Sequence, residues 1–255
     1  MKTYTTPGGE YYNLYADMLQ QTHILIAGAT GSGKSVVING ILHTALMKSP
    51  NAYEFILIDL KRVELAAYRK LPHTIEYADN IEAAVSALHS ALRIIETRYS
   101  EMQRTGSKKY NGSCIYVVID ELADLMTVNK KAVLPLLQRI AQIGRAANVK
   151  IIAATQCPLA SVIPTQVKVN FDTVIGLHTR SAQDSRNILG CNGCESLPRY
   201  GQGYYMTPAG IELYYIPMYD QAEQDRVIRH WSAQRRPAAG FGTFCKAFAA
   251  AVFNK

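Results

Sequence analysis

The run Gly28-Ala29-Thr30-Gly31-Ser32-Gly33-Lys34-Ser35 has the residue types and spacing to hold a chain of phosphates. It fits G-x-x-x-x-G-K-[ST], the P-loop pattern. Glycines let consecutive backbone N–H groups curl round phosphate oxygens, and a helix opening at the loop adds partial positive charge. Lys34 would reach the β- and γ-phosphates, and the Ser35 hydroxyl would bind Mg²⁺. Two adjacent acids, Asp120 and Glu121, close the apolar run Tyr116-Val117-Val118-Ile119. There Asp120 would hold Mg²⁺ through water and Glu121 would polarise an attacking water. An acidic pair after a strand is common on its own; downstream of a phosphate loop it completes a hydrolytic set. Gln156 ends a third run, Ala153-Ala154-Thr155-Gln156. If that strand lies between the other two, its amide faces the γ-phosphate and can couple ATP or ADP to movement. The set reads as an ATPase with ATP and Mg²⁺ as cofactors.

Such residues need strand ends and helix starts to present them. Short apolar runs at Ile24–Ala27, Phe55–Ile58, Ile115–Ile119, Ile151–Ala154 and Thr173–Leu177 read as buried strands. Between them lie helical spacings: Ser35–Met47, Ile81–Met102 with Asp79 or Asn80 as N-cap, and Ala132–Ala147. Pro135 is compatible with the last only in its first turn. Gly203–Met206 and Ile211–Ile216 read as a hairpin around Pro208-Ala209-Gly210, and Gln221–Trp231 as a last helix. Strands alternating with helices of this length predict an α/β fold, a mostly parallel central sheet flanked by helices with a small C-terminal β-hairpin. The domain is expected over residues 23–232, after a short lead-in (1–22) and before a Pro-, Ala- and Gly-rich tail (233–255).

The 255 residues are 48% apolar and 18% charged, which excludes a disordered chain and suits one large domain. A net charge of +7 favours a polyanionic partner. The N-terminus lacks a basic-then-apolar leader, and no apolar run approaches the ~20 residues of a membrane helix. Five scattered cysteines form no even framework and fit a reducing, cytoplasmic setting. Cys191 and Cys194 form a C-x-x-C, but no second ligand pair lies near enough for structural zinc.

Beyond these motifs the chain resembles the motor domain of the FtsK/SpoIIIE family of DNA translocases, within the FtsK–HerA superfamily of P-loop (RecA-like, ASCE) ATPases. The resemblance runs from about His23 to Trp231. It is carried by Leu57-Ile58-Asp59-Leu60-Lys61-Arg62-Val63-Glu64-Leu65, Leu71-Pro72-His73, Glu96-Thr97-Arg98-Tyr99, Asp120-Glu121-Leu122-Ala123-Asp124-Leu125, Ile143-Gly144-Arg145-Ala146-Ala147, Ala153-Ala154-Thr155-Gln156-Cys157-Pro158 and Asp184-Ser185-Arg186-Asn187-Ile188-Leu189. Cys157 stands where the family usually has Arg. The resemblance implies a homohexameric ring, DNA- or ATP-dependent in its assembly, with double-stranded DNA in its channel. It implies that Arg145 is a trans-acting arginine on the neighbouring subunit's ATP, with Arg186 a second candidate at that interface. For the DNA contact two basic loops have suitable composition. One is Arg104–Tyr110, with Lys108 and Lys109; the other, preferred because the family's channel lining follows the sensor strand, is Ser161–Lys168, with Thr165, Gln166 and Lys168. The chain lacks the membrane-spanning and winged-helix regions of the family's long members and reads as a stand-alone motor. The expected function is ATP-dependent pumping of duplex DNA. The alternatives are a secretion-type ATPase acting on a protein, or a conjugative coupling ATPase that docks a relaxase or another mobile-element protein.

Overall fold

The computed structural model describes residues 4–5, 11–12, 14–48, 51–156, 164–216, 218 and 221–234. A two-stranded ribbon, β1 (Tyr4–Thr5) and β2 (Tyr11–Tyr12), precedes a short helix α1 (Leu14–Met18). The central sheet then begins with β3 (Ile24–Ala27), followed by α2 (Lys34–Lys48), β4 (Tyr53–Ile58), β5 (Thr74–Ala78), α3 (Ile81–Thr105), β6 (Cys114–Ile119), α4 (Leu122–Ile143) and β7 (Val149–Thr155). It ends with α5 (Thr165–Lys168), β8 (Thr173–Gly176), α6 (Ala182–Leu189), the hairpin β9 (Gln202–Thr207) and β10 (Gly210–Tyr215), and α7 (Gln221–Ser232).

The eight strands lie in the order β10-β9-β8-β3-β7-β6-β4-β5. Those from β8 to β5 are mutually parallel, and the hairpin joins antiparallel at β8. Strands β3 and β6 are buried at every position. Their sequences are therefore continuous apolar runs instead of alternating ones. Alternate residues feed two separate cores. Leu25, Val117, Ile119 and Ile151 pack under α3 and α4. Ile24, Ile26, Tyr116 and Val118 pack under α1, α2 and α7. Truncating one fully buried aliphatic side chain, Leu88 on the inner face of α3 for example, costs about 2–5 kcal/mol.

Several elements differ from the sequence reading. The strand β5 was not expected: its sequence is T-I-E-Y-A at the sheet margin, half-exposed over most of its length, so it lacks a buried strand's signature. Helix α1 belongs to the second core, where Leu14 and Met18 are buried and the Tyr15 ring sits so close to Gly40 that a Cβ there would lie 2.2 Å from it. Helix α4 starts ten residues earlier than its spacing implied, about three turns, and is kinked at Asn129, whose φ is −150°. Asn129 caps the second segment by accepting from Ala132 N–H at 3.2 Å. Pro135 therefore falls in that segment's second turn instead of its first. The cap of α3 resolves to Asn80, which accepts from Ala83 N–H at 2.9 Å. Gly106, at φ +67°, ends the same helix in the left-handed conformation that glycine adopts at little cost.

Among the described residues no helix is long and apolar enough to cross a membrane. Cys157, Pro158, the segment 161–163 and the tail from Arg235 lie outside the described residues.

Candidate functional site

The loop from Gly28 to Gly33 joins β3 to α2 at the C-terminal edge of the sheet, where open α/β sheets place ligands. Gly31 and Gly33 have φ of +75° and +101°, the left-handed region that bends the loop back on itself. A Cβ on Gly33 would meet nothing within 4 Å, so the mouth of the loop is open on that side. Ala29 N–H donates to His178 O at 2.8 Å and Gly28 N–H to Thr155 O at 3.3 Å, which moors the loop to β7 and to the segment after β8. The Lys34 ammonium is buried and donates to Gly28 O and Ala29 O, both at 2.9 Å. The Ser32 hydroxyl is buried and finds no partner among the described residues. Spare donors around an open glycine loop at a helix start form an anion cradle.

Strand β6 lies between β4 and β7, and β7 between β6 and β3. This order carries Asp120, Glu121 and Gln156 to the same edge as the loop. Gln156 accepts from the Thr30 hydroxyl at 2.6 Å, and its backbone N–H donates to Glu121 Oε1 and Oε2 at 3.2 and 3.1 Å. Glu121 also caps α4 by accepting from Ala123 N–H at 3.1 Å. Burial pushes the Glu121 carboxyl up, against those hydrogen bonds, which favour its charged form. Asp120 is pushed up to about 7, first by burial and then by the charges of Asp59, Glu64 and Glu121, with Lys61 opposing. Burial also pushes the Lys34 ammonium down while Glu121 and Asp120 support its charge.

Sequence reasoning gave no site role to Asp59, Lys61 or Glu64, although all three lie in a stretch that carries the resemblance. Asp59 ends β4, beside β6, and is fully buried; its Oδ2 accepts from Leu65 N–H at 2.9 Å. Lys61 pairs with Asp124 at 3.0 Å. Asp120 thus sits among the charges of Asp59, Glu64 and Glu121, and with the Ser35 hydroxyl at the start of α2 it supplies oxygen donors of the kind Mg²⁺ prefers. Among the described residues no three acidic, His or Cys side chains form a ligand set by themselves, which fits a cation that takes its remaining ligands from phosphates and water. Arg199 is a further addition. Its guanidinium lies over the loop, 3.1 Å from where a Cβ on Gly31 would stand. Thr179, Arg180 and Asp184 line a cavity of about 240 Å³ together with Gly28, Ala29, Thr30 and Gln156. These contacts join segments far apart in the chain, so no local pattern announces them.

Arg145 lies elsewhere. It is exposed, on the turn between α4 and β7, at the N-terminal edge of the sheet. Seven strand residues separate it from Gln156, roughly 20 Å at ~3.3 Å per residue. Its side chain cannot reach the phosphate loop of its own chain. Lys108 and Lys109 are exposed beside the same turn, since Tyr110 N–H donates to Ala146 O at 2.9 Å. Lys168 turns inward and donates to Asn187 O at 2.5 Å; the side chains of Thr165 and Gln166 lie outside the described residues. Arg186 is exposed on α6 and donates to Asn192 Oδ1 at 2.7 Å and Gln183 Oε1 at 2.9 Å. In the C-x-x-C, Cys191 is exposed and Cys194 buried; burial pushes the Cys194 thiol up to about 11, away from the thiolate that a metal would need.

The sequence model of the FtsK/SpoIIIE family matches residues 7–114. The chain is 33% identical, over 91% of its length, to the DNA translocase FtsK of Rhizobium meliloti (strain 1021), of which it spans 31%. It is 38% identical, over 81% of its length, to the DNA translocase FtsK of Lactococcus lactis subsp. cremoris (strain MG1363), of which it spans 32%. The chain thus spans about a third of the length of the curated relatives it matches. Among solved structures it is similar to the pCW3 conjugation coupling protein TcpA, in its monomer form with ATPγS, at TM-score 0.76 and 24% identity over 90% of this chain and 70% of that one. It is also similar to the cytoplasmic domain of the Thermomonospora curvata type VII secretion ATPase EccC, at TM-score 0.72 and 23% identity over 84% of this chain and 28% of that one. At these identities the two structures bear on the fold, a P-loop ATPase α/β sheet.

Proposed function

The chain carries a domain of the FtsK/SpoIIIE family, and on that footing we propose that it hydrolyses ATP and uses the energy to move double-stranded DNA through a ring of its own copies. The observation that carries this reading is the division of the hydrolytic set between opposite edges of one sheet. Lys34, Asp120, Glu121 and Gln156 gather at one edge and Arg145 stands at the other. A ring of like subunits, each edge facing the next, brings the two together. DNA is the substrate named for the relatives, and the net charge of +7 suits a polyanion.

In this reading the backbone of Gly28–Gly33 and the Lys34 ammonium bind the phosphates of ATP. Ser35 and Asp120 would hold Mg²⁺, which when bound neutralises charge on the β- and γ-phosphate oxygens. Glu121 orients the attacking water and draws its proton. Gln156, bonded to Thr30 of the phosphate loop and to Glu121, links the γ-phosphate position to β7. Arg145 of the adjacent copy stabilises charge on the transferring phosphoryl group. Lys108 and Lys109, exposed and without an ion pair among the described residues, suit contact with a phosphate backbone better than Lys168, whose amine is engaged by Asn187.

Steady-state ATP hydrolysis, with and without a duplex of a few kilobases at low and moderate salt, tests the reading. Severalfold stimulation that weakens steeply with salt is expected. Hydrolysis indifferent to duplex at low salt, but raised by a polypeptide or nucleoprotein, would move the assignment to a secretion or coupling ATPase.

A further inference from the structure

The turn that carries Arg145 is clamped at every carbonyl from Ile143 to Asn148. The Tyr99 hydroxyl donates to Ile143 O at 3.0 Å. Backbone N–H groups of Val149, Asn148, Tyr110 and Ile115 donate to the carbonyls of Gly144, Arg145, Ala146 and Asn148 at 2.9, 3.3, 2.9 and 3.0 Å. Arg98 Nη1 takes the remaining carbonyl, Ala147 O at 2.8 Å, and shares Asn148 O at 3.1 Å. The conformation held this way is a demanding one. Asn148 stands at φ +54°, with its side-chain amide donating to Gly112 O at 3.0 Å. At Gly144 a Cβ would lie 2.3 Å from Val149 O, so no other residue fits. A backbone kept in a sparsely populated region persists only where its surroundings over-determine it.

Arg98 is an expensive way to satisfy a turn. It projects from α3 and is 6% exposed; burial pushes its pKa down. The guanidinium makes no ion pair among the described residues. It is held instead by the two carbonyls, by the Ser113 hydroxyl at 3.5 Å and by the Tyr110 ring, whose centroid is 4.2 Å away. Solvent could satisfy the last carbonyls of a helix at no desolvation cost; a buried cation is needed only where the geometry must not vary. On this mount sits one exposed arginine, Arg145, whose side chain makes no hydrogen bond or ion pair among the described residues. Every group around it is fixed, and its own head is left for something outside the subunit.

We propose that Arg98, braced by Tyr110, is a positioning residue for Arg145: it fixes the turn from which Arg145 reaches the nucleotide of the adjacent copy. This rests on the reading of Arg145 as acting in trans. The guanidinium bonds Ala147 O and Asn148 O through Nη1 while its plane stays over the Tyr110 ring, a rigid stacked fork that a flexible ammonium does not reproduce, and small misplacements of a group that acts on a transition state are costly in rate.

The test is duplex-stimulated hydrolysis by Tyr110→Ala and Arg98→Lys, each made in the wild-type chain and in Arg145→Ala, with nucleotide affinity and thermal midpoint measured alongside. In the wild-type background kcat should fall about tenfold, with KM and nucleotide affinity unchanged. In the Arg145→Ala background the same substitutions should change kcat by less than about twofold, because the group they position is gone. Equal losses in both backgrounds would show that Arg98 and Tyr110 serve the fold alone and would overturn the proposal, as would an unchanged kcat in the wild-type background. If Arg98→Lys does not fold, Tyr110→Ala decides, since it leaves the backbone bond to Ala146 in place. If Arg145→Ala itself hydrolyses at the wild-type rate, the trans-arginine reading falls and takes this proposal with it, a result the first two arms do not produce.

Discussion

The two edges of the sheet are built to opposite specifications. At the C-terminal edge polar groups crowd without full satisfaction. Ser32 Oγ is buried without a partner among the described residues, Asp120 is pushed up to about 7 by burial and then by its acidic neighbours, and Lys34 leans on carbonyls of its own loop. At the N-terminal edge every carbonyl of the turn before β7 has a donor. Buried polar groups left short of partners mark a place that awaits a ligand; a fully satisfied network gives rigidity. The first edge is suited to receive charge and the second to present it.

The division implies that neither edge works without the other, and Arg145→Ala is the most severe way to challenge it. Loss of an arginine of this kind lowers turnover on the order of 10³-fold, while nucleotide binding to the intact loop persists. Mixing decides whether the two edges cooperate between copies. Lys34→Ala subunits keep a sound Arg145, and Arg145→Ala subunits keep a sound loop. Each alone should be nearly inactive and the mixture should regain measurable hydrolysis. A mixture as inactive as its components would mean that Arg145 does not serve a neighbour.

Within the receiving edge, Glu121→Gln separates chemistry from binding. Its amide keeps one acceptor for the N–H groups of Ala123 and Gln156 but cannot take a proton. Turnover should fall roughly 10²-fold or more, with nucleotide retained in an equilibrium binding measurement. Retained turnover would assign the proton to another carboxylate, and Asp59 is then the first to examine.

The edges also differ in how legible they were. The phosphate loop is eight consecutive residues and needs no tertiary information. Asp120, Glu121 and Gln156 each end a run apolar enough to be read as a strand, and the parallel order then brings them together. Asp59 and Glu64 enter the acid group only because β4 pairs with β6, a contact across more than fifty residues (Tyr53↔Cys114 to Ile58↔Ile119) that periodicity does not encode. Arg199 reaches Gly31 from the connection before β9 on the same terms. At the other edge, Arg145 was visible only through a family resemblance. Its mount was not visible, because apart from the local N–H groups of Asn148 and Val149 the donors come from α3, from the segment before β6 and from β6 itself. The helix α4 was under-read for a local reason: Asn129 and Pro135 interrupt its pattern, and the kink with its own cap reconciles them.

Arg199 offers a smaller test of the receiving edge. Its guanidinium approaches Gly31 without a hydrogen bond or ion pair among the described residues, within reach of an anion on the loop. Arg199→Ala should weaken nucleotide affinity about fivefold, ~1 kcal/mol for an exposed charge, leaving the thermal midpoint without nucleotide unchanged. Titration of a fluorescent ATP analogue checks this, and unaltered affinity would reduce Arg199 to a surface residue.

The mildest test at neutral pH concerns the presenting edge and its dependence on a neutral histidine. His23 opens β3 and is 2% exposed. Its Nδ1 accepts from Ile151 N–H at 3.0 Å, which requires an unprotonated nitrogen. Burial lowers its pKa to about 4; Asp172 and the Ala141 carbonyl oppose that shift, and Lys150 and Arg145 reinforce it. A histidine with a depressed folded pKa leaves stability intact above its unfolded value, near 6.5, and removes it as pH falls toward 4, where the unfolded chain takes up the proton first. The full loss is on the order of 3 kcal/mol. Asp120 works in the other direction, because a carboxyl held up at about 7 binds its proton more readily in the folded state. The wild-type pH profile therefore mixes two opposed slopes, and the difference between wild type and His23→Gln isolates one. Urea midpoints measured from pH 7 to 5 should show His23→Gln less stable at pH 7, where Ile151 loses its partner of matched geometry, with that deficit shrinking as the pH drops. A deficit constant across the range would mean that His23 takes up its proton equally readily in the folded and unfolded chain, so that burial does not hold it neutral.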